Sequence, residues 1–521
     1  MKISVRGSDV ESIEARVGET IAGSLKNAGV FLPMPCGGRG RCGKCAVLVK
    51  GDFPSPEREE AELLKRNAPE REGYASRIAC LCPAAEGEVL IPSGGGRVSV
   101  AGVLDERLVY DSSDDGYGIA IDIGTTTISA LLYSFGNGEA VSSAHEMNRQ
   151  AVYGADVLSR IDCANREGVG ELSRCLVSQL NVMLSMLISD AGIDAGRVNR
   201  IVAAGNTTML HFLTGLDPKG IGVAPFVPMS LFGDERAAGE LFPGFGGAEL
   251  YLPPSVSAYV GADITCGILA AGIAEKHGAS LLIDVGTNGE MALCSGSRIT
   301  CCSTAAGPAF EGATISMGMP AVSGAVCGVS NDGGVISCRT IDGARPSGIC
   351  GSGMISAVRL MLETGVLDGS GRILERPHDF ERFVVRHDGE LSFVLGESGV
   401  SLTQRDIRNI QLAKASIAAG ALVLLKNVGI TPDAVEMLYL SGGFGSTIDP
   451  TEASGIGLIP LELAGRTVAS GNTSLSGAAK MLFSCAARRR AAEIASAATE
   501  ISLSSSAEFM EEYVEQMPFY E

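Results

Sequence analysis

A group of cysteines near the start of the chain has the spacing that iron–sulfur chemistry requires. Cys36, Cys42 and Cys45 form a C-x5-C-x2-C pattern in a glycine-rich stretch, and Cys80 follows much later. Four thiolates can hold a [2Fe–2S] cluster, for which the plant-type pattern is C-x4-C-x2-C with a distant fourth cysteine. A zinc site would show two short pairs, and unrelated thiols would not need the glycines. The spacing therefore predicts a [2Fe–2S] cluster held by these four residues, with Cys82 as a rival fourth ligand.

Two apolar strands, about 160 residues apart, run into turns that can hold the phosphates of a nucleotide. Glycine lets the backbone approach a phosphate, threonine hydroxyl and N–H groups can donate to its oxygens, and an aspartate can hold Mg²⁺. One Asp-x-Gly-Thr turn can be a simple hairpin, but two copies favour an ATP site. The predicted contacts are Asp122, Gly124, Thr125, Thr126 and Thr127 in the first turn, and Asp284, Gly286, Thr287, Asn288 and Gly289 in the second.

Three further segments are candidates for the same site. A third apolar strand ends in a glycine surface on which an adenine can lie flat, formed by Gly442, Gly443, Phe444 and Gly445. Asn206 and Thr207 follow a short strand and can contact phosphate, or they can form a helix N-cap with a polar turn. Asp263 begins an Ala- and Gly-rich helix ahead of the second turn. The sequence has neither a P-loop nor a GxGxxG between strand and helix, which excludes Walker-type and Rossmann sites.

The elements that must position these residues change in character along the chain. Before residue 92, short strands surround one predicted helix, and 55–67 reads as an exposed helix. After residue 118, apolar strands ending in Asp-x-Gly alternate with Ala-rich helices, which indicates a large α/β region with mixed sheets. We therefore predict an α/β and α+β multidomain protein: domain 1–92, linker 93–117, middle domain 118–200 carrying the first phosphate turn, and ATPase domain 201–521.

Composition narrows the function classes. The net charge of −19 over 521 residues makes nucleic acid a poor partner. No uncharged apolar run reaches the roughly 20 residues that span a bilayer, and the first residues lack a signal-peptide core. We expect a cytoplasmic protein that is not bound to membranes. In that reducing compartment, 15 cysteines indicate metal ligands and buried thiols.

Two parts of the chain resemble known families. The first 92 residues resemble a β-grasp [2Fe–2S] ferredoxin. The strand–turn units 119–127, 281–289 and 438–446, in that order, resemble the actin-like (ASKHA) superfamily of actins, sugar and acetate kinases and heat-shock chaperones. That superfamily implies two lobes with ATP and Mg²⁺ in the cleft between them. By the same analogy Asp263 would orient the attacking water; the alternative is an ordinary first-turn acid.

The combination resembles the reductive activators of corrinoid proteins, with matching segments at the Cys36 loop, 205–209, 284–290, 307–312 and 509–513. This resemblance implies that one electron passes, with ATP, from the cluster to an inactive cobalt(II) corrinoid protein of a methyltransferase system, restoring cobalt(I). It also implies an external low-potential reductant. A homodimer is expected too, although the chain is shorter than typical members in its linker and middle region. The C-terminal cysteine cluster of methylamine-system activators is absent from the sequence, so the N-terminal cluster is expected to be the only redox centre.

Two other functions stay open at this point. A small-molecule kinase with a fused redox-sensing ferredoxin domain would use Asp263 as its base and would need a pocket for a hydroxyl-bearing substrate. A redox- and nucleotide-responsive scaffold would bind ATP without turnover. Stimulation of ATP hydrolysis by a corrinoid partner distinguishes the activator from both.

Overall fold

The computed structural model describes every residue except 7–9, 29, 31, 33, 35–37, 39, 41–42, 68, 70, 92–115, 388, 443–447, 505 and 521. Its contacts divide the chain into two compact units. The first contains the N-terminal region together with Arg149–Arg166, and the second contains the remainder.

The N-terminal unit is built on a five-stranded sheet in the order β2-β1-β5-β3-β4, in which β1 and β5 are parallel and the other neighbours antiparallel. Its strands are β1 (Lys2–Arg6), β2 (Ser12–Glu14), β3 (Ala46–Gly51), β4 (Ala75–Ile78) and β5 (Gly87–Leu90), with helices α1 (Ile21–Asn27) and α2 (Arg58–Asn67). Apolar residues on alternate positions of β1 and on one face of α1 share one core, as a half-buried sheet requires. This confirms the predicted β-grasp fold.

A later stretch of the chain belongs to the same unit. Val152 packs against the apolar core of the N-terminal sheet. The ammonium group of Lys26 lies 4.1 Å from the centroid of the Tyr153 ring, within the range of a cation–π contact. The unit is therefore discontinuous in sequence.

The second unit begins with a six-stranded sheet in the order β10-β11-β9-β6-β7-β8. Its strands are β6 (Tyr117–Ile123), β7 (Thr127–Ser134), β8 (Ala140–Met147), β9 (Val198–Gly205), β10 (Asp234–Ala237) and β11 (Glu249–Leu252). The helices in this part of the chain are α4 (Val169–Ala191), α5 (Thr207–Thr214) and α6 (Lys219–Gly222), and they follow α3 (Val157–Glu167), which belongs to the first unit except for its last residue. Because β6 pairs with β9 along its whole length, the sheet crosses the boundary predicted between residues 200 and 201.

The C-terminal half of the second unit contains another six-stranded sheet, in the order β22-β21-β12-β13-β14-β23, and two three-stranded sheets. Its strands are β12 (Ala279–Val285), β13 (Gly289–Ser295), β14 (Arg298–Thr304), β15 (Ala325–Asp332), β16 (Val335–Thr340), β17 (Gly348–Ile349), β18 (Val384–His387), β19 (Glu390–Val394), β20 (Ser401–Thr403), β21 (Val435–Ser441), β22 (Thr467–Gly471) and β23 (Ala498–Glu500). The helices are α7 (Ala262–Ala271), α8 (Gly351–Glu363), α9 (Gln404–Val428), α10 (Pro450–Gly455), α11 (Thr473–Phe483), α12 (Cys485–Ala497) and α13 (Ala507–Glu515).

The two large sheets repeat one topology. In the first, β6 is antiparallel to β7 and parallel to β9; in the second, β12 is antiparallel to β13 and parallel to β21. Helices α7 and α11 contact each other and pack between the sheets. Their apolar residues share one core with Ala120 and Val202 of the first sheet and with Leu282 and Ala292 of the second. This arrangement confirms the predicted two-lobed actin-like fold.

One described helix, α4, is long and apolar enough to cross a membrane by length and composition. Leu172, Leu176, Leu180, Met183 and Leu187 on one of its faces are buried. The helix packs against β8 and α5, so it serves as a core helix of the first lobe.

Candidate functional site

The two phosphate turns predicted from the sequence face each other across a cleft. The hydroxyl oxygens of Thr126 and Thr287 are 3.1 Å apart, and both hydroxyls donate to the carboxylate of Glu311. Both turns line this cleft together with residues from several other segments of the chain. It is therefore the candidate site for the nucleotide.

Among the described residues, four helices begin at this cleft. Its lining includes Asn206, the N-cap of α5; Asp263 in the first turn of α7; Gly351 at the start of α8; and Asn472, the N-cap of α11. Helix N-termini carry partial positive charge and unsatisfied N–H groups, so they favour anions. The cleft is therefore suited to a triphosphate, although several of its side chains are acidic.

Asp122, at the end of β6, is held by donors from the other end of the chain. The amide of Asn472 donates to one carboxylate oxygen at 2.7 Å, and the hydroxyl of Ser474 donates to the other at 2.8 Å. Burial raises the pKa of Asp122, and these two hydrogen bonds oppose that rise. The carboxylate is fixed in place with its charge partly satisfied.

Asp284, at the end of β12, sits among other acids. The hydroxyl of Ser441 donates to it at 2.9 Å. Burial raises the pKa of Asp284 to about 7, opposed by that hydrogen bond and reinforced by the charges of Asp122 and Glu311. Near neutral pH, Asp284 exchanges its proton readily.

Two further acids, Asp263 and Glu290, line the cleft near Asp284. Burial raises the pKa of Asp263 to about 7, and the charge of Asp284 adds to the rise. Burial, followed by the charges of Asp263 and Asp284, raises the pKa of Glu290 far above its usual range. Asp263 and Asp284 therefore titrate near pH 7 as an interacting pair.

The donor set fits a hard cation that completes its coordination elsewhere. Carboxylate oxygens are suitable ligands for Mg²⁺, which usually takes one or two of them and shares the rest of its shell with phosphates and water. Among the described residues, no three His, Cys, Asp or Glu side chains are grouped as in a site made wholly of protein. Asp122 and Asp284 would thus hold the ion only together with a nucleotide.

The glycines of the turns are required by close backbone approaches. A Cβ on Gly124 would lie 2.6 Å from the carbonyl oxygen of Thr127. Gly442 has φ of +119°, and a Cβ there would collide with the carbonyl of Val285. Both glycines line the cleft, so larger residues would disturb its walls.

The cleft lining contains most of the other predicted contacts, namely Thr125, Thr126, Thr127, Asn206, Gly286, Thr287 and Asn288. Asn206 also donates to the hydroxyl of Thr125 at 3.1 Å and caps α5 by accepting from Met209. Both interpretations of Asn206, phosphate contact and N-cap, are therefore compatible with its position.

Two predicted contacts lie elsewhere, and three cannot be placed. Thr207 is buried and donates to the carbonyl of Ser257 at 2.6 Å. Gly289 lies in β13, where a Cβ would meet Thr304 at 2.7 Å and Ile417 at 3.0 Å; its small size serves packing. Neither lines the cleft. The predicted adenine contacts Gly443, Phe444 and Gly445 lie outside the described residues.

Other residues of the cleft could not be assigned from the sequence. Glu290 and Glu311 lie in segments 284–290 and 307–312, which resemble family motifs, but no pattern in the sequence gives these two acids a role. Asn472, Ser474 and His145 have no local signal, because they reach the cleft only through the tertiary fold. The Nε2 atom of His145 is buried without a hydrogen-bond partner, and burial lowers the pKa of this histidine to about 4.

In the N-terminal unit, the structure brings two of the predicted cluster ligands together. The sulfur of Cys45 lies 3.3 Å from that of Cys80, a separation at which two thiolates can share one iron. Cys82 is buried, and its thiol donates to the carbonyl of Pro83 at 3.4 Å. Burial raises the pKa of Cys82 to about 12, which disfavours the thiolate. Cys36 and Cys42 lie outside the described residues.

Comparison with known proteins agrees with this geometry. Family profiles match residues 4–85 as "2Fe-2S iron-sulfur cluster binding domain", 117–276 as "RACo middle region" and 278–521 as "C-terminal domain of RACo the ASKHA domain". A solved structure titled "Reductive activator for corrinoid,iron-sulfur protein" superposes with a TM-score of 0.73 and 27% identity, covering 99% of this chain and 98% of that one.

Two curated relatives cover much of the chain. The "Corrinoid activation enzyme RamQ" of Eubacterium limosum is 32% identical over 418 residues, 76% of this chain and 69% of that protein. The "[Co(II) methylated amine-specific corrinoid protein] reductase" of Methanosarcina barkeri is 28% identical over 399 residues, 70% of each chain. With its ferredoxin domain, middle region and ASKHA domain in this order, the chain belongs to the RACo family of reductive activators of corrinoid proteins.

Proposed function

We propose that this protein uses ATP to return one electron to an inactive cobalt(II) corrinoid protein, which restores the cobalt(I) needed for methyl transfer. One observation carries the proposal: a single chain holds a pair of cysteine sulfurs 3.3 Å apart in a β-grasp unit and two facing phosphate turns in an actin-like unit. Family membership and the printed activities of its relatives support the same function.

Cys36, Cys42, Cys45 and Cys80 are the proposed cluster ligands. When bound, a plant-type [2Fe–2S] cluster supplies a single electron at about −400 mV. The chain contributes the four sulfurs. The Ala79 N–H donates to the carbonyl of Cys45 at 3.0 Å, so the backbone next to Cys80 is tied to the backbone of Cys45.

The cleft residues have three roles toward ATP: binding its phosphates, holding Mg²⁺ and orienting the attacking water. The turn residues Gly124–Thr127 and Gly286–Asn288, with the four helix N-termini, bind the phosphates. Asp122 and Asp284 would hold Mg²⁺ together with those phosphates, and Asp263 would orient the attacking water. With its pKa raised to about 7, Asp263 can accept a proton from that water.

ATP acts on the complex with the corrinoid protein. The resemblance to the activator family implies a cobalt(II)/cobalt(I) couple with a more negative potential than the cluster, so electron transfer to cobalt(II) is uphill and needs coupling to ATP. Lobe motion driven by nucleotide would favour a state in which the cobalt accepts the electron more readily. A low-potential external reductant, a cytoplasmic location and a homodimer belong to the same proposal.

The test is electron delivery in an anaerobic mixture of chemically reduced protein and a candidate corrinoid protein, measured as cobalt(I) absorbance with and without ATP and Mg²⁺. We expect reduction of the cluster without ATP, and cobalt(I) only with ATP. Equal cobalt(I) without ATP would contradict the role given to the nucleotide. No cobalt(I) with any of several partners, combined with substrate-dependent ADP release, would favour a small-molecule kinase.

A further inference from the structure

The N-terminal unit contains a buried ion pair that the proposed function does not use. Glu60 on α2 and Arg77 on β4 have side chains that are only 2% and 3% exposed. The Nε and Nη2 atoms of Arg77 donate to the two carboxylate oxygens of Glu60 at 2.7 and 2.6 Å. The pair is bidentate, the strongest geometry for these groups.

Hydrogen bonds connect the pair to the backbone beside Cys80 and Cys45. Glu60 also accepts from the N–H of Ile78 at 2.8 Å, and Arg77 donates to the carbonyl of Pro54. The next N–H, of Ala79, donates to the carbonyl of Cys45 at 3.0 Å. One residue later, the sulfur of Cys80 lies beside that of Cys45. Consecutive backbone groups thus lead from the ion pair to the facing sulfurs.

Stability alone does not explain such a pair. Burying two charges costs about as much as their attraction returns, and apolar replacements of similar volume are often neutral or stabilising. The best-attested benefit of a buried pair is a fixed register between elements. Here the elements are α2, the segment around Pro54, and the end of β4 just before Cys80. Among the described residues of α2, Leu63 and Leu64 are half-buried against the apolar core, and Glu60 is the one that is fully buried. The helix is therefore held both by apolar contacts and by this carboxylate.

We propose that Glu60 and Arg77 are positioning residues for the iron–sulfur cluster: they fix the end of β4 so that Cys80 meets Cys45, and they do so without leaving a net charge beside the ligands. The inference rests on the proposed function, because it takes these two cysteines as cluster ligands. Outer partners that orient metal ligands in this way commonly affect metal affinity by about 10–100-fold.

The experiment compares the reconstituted wild-type protein with Glu60→Gln and with Glu62→Gln as the matched control. Glu62 lies on the same helix and pairs with Lys65 at 2.9 Å, but both side chains are at least half exposed. The cluster's midpoint potential, the EPR spectrum of its reduced form and its rate of loss to an iron chelator are measured without any corrinoid protein.

Glu60→Gln leaves the Arg77 charge unpaired, and a positive charge favours the more negative, reduced cluster. We expect a more positive potential, altered EPR g-values and cluster loss faster by about 10-fold. Glu62→Gln should match the wild type in all three measurements. Wild-type values in Glu60→Gln would overturn the inference.

A second variant separates positioning from folding. Glu60→Leu combined with Arg77→Met fills the space with apolar atoms and is expected to fold with at least wild-type thermal stability. If the pair positions the ligands, this double variant still shows altered g-values and faster cluster loss. A double variant with wild-type cluster properties would overturn the inference. A wild-type protein that binds no iron would instead contradict the proposed function.

Discussion

The two phosphate turns have the same backbone design but different surroundings. Each turn follows a strand whose penultimate residue is aspartate. That strand is antiparallel to the next strand and parallel to a later one. Asp122 receives two side-chain donors, from Asn472 and Ser474. Asp284 receives one, from Ser441, and faces several acids. The repeated topology thus supplies one scaffold whose two sides have distinct electrostatics.

This difference suggests separate roles for the two turns: the first holds a fixed carboxylate, and the second carries carboxyl groups that gain and lose protons. On the first side, the two neutral donors oppose the rise that burial causes in the pKa of Asp122. On the second side, burial and the charge of Asp284 raise the pKa of Asp263, and burial with the charges of Asp263 and Asp284 raises the pKa of Glu290. Binding a cation there must release protons, since only the ionised carboxylates coordinate it. We therefore expect the second turn to dominate both catalysis and pH dependence.

The largest effect is expected from removing the charge at each aspartate. Asp284→Asn should lower ATP hydrolysis by at least about 100-fold, the scale of losing a preorganised electrostatic contact, and Asp122→Asn should lower it less. Steady-state phosphate release measures both, with the visible spectrum of the cluster as the control that the other unit is intact. Equal losses would remove the proposed asymmetry, and normal turnover in both variants would contradict the ATP site.

The next effect is a pH dependence of stability. An aspartate with a pKa near 3.9 when unfolded and about 7 when folded takes up a proton on folding between those values. Its stabilising contribution is full below about pH 4 and is lost as pH rises through 7. At about 1.4 kcal/mol per pKa unit, the loss amounts to a few kcal/mol.

Asp284→Asn should reduce this dependence. The nucleotide-free variant is expected to melt at a higher temperature than the wild type at pH 8 and at a similar temperature at pH 5. Calorimetry at both pH values measures the difference. If the variant melts lower at pH 8, the Asp284 carboxyl is not the strained group that its surroundings indicate.

A smaller effect concerns Glu311, which bridges the turns. Its carboxylate accepts from Thr126 and Thr287 at the place where phosphates are expected to bind. Glu311→Gln keeps an acceptor but removes the repulsion, so ATP should bind more tightly by about 1 kcal/mol, the order of a charge interaction in a solvated cleft. Titration calorimetry with Mg²⁺ and a non-hydrolysable ATP analogue measures the change. Weaker binding would show that Glu311 helps to hold the ion.

The smallest expected effect is on stability, and it distinguishes Asn206 from Thr207. Thr207→Val removes a buried hydroxyl that donates to Ser257, and we expect a stability loss of about 1 kcal/mol with unchanged ATP affinity. Asn206→Ala should weaken ATP binding as well, because Asn206 lines the cleft. Denaturant unfolding and nucleotide titration of both variants provide the comparison.

The sequence predicted what is encoded locally. The turns around Asp122 and Asp284 were recognisable because strand, glycine and threonine follow one another along the chain. The β-grasp fold and the two lobes were implied by the resemblance of the cysteine loop and of these turns to known families. The partners of those residues were not, since Asn472 is 350 residues from Asp122 and only the packing of α11 brings it there. Glu60 shows the same limit: its helix was predicted to be exposed, yet this one carboxylate is buried against Arg77.

The discontinuous N-terminal unit has a consequence for modularity. A ferredoxin that could be exchanged freely between proteins would have its whole surface encoded by one contiguous segment. Here Val152 and Tyr153, encoded after the third strand of the next sheet, complete the contacts of the N-terminal core and of Lys26. If residues 1–91 were moved alone into another protein, the apolar surface that Val152 covers would be exposed. Val152 and Tyr153 would also lose their contacts in the protein left behind. Recombination that replaces this electron donor must therefore exchange both stretches together.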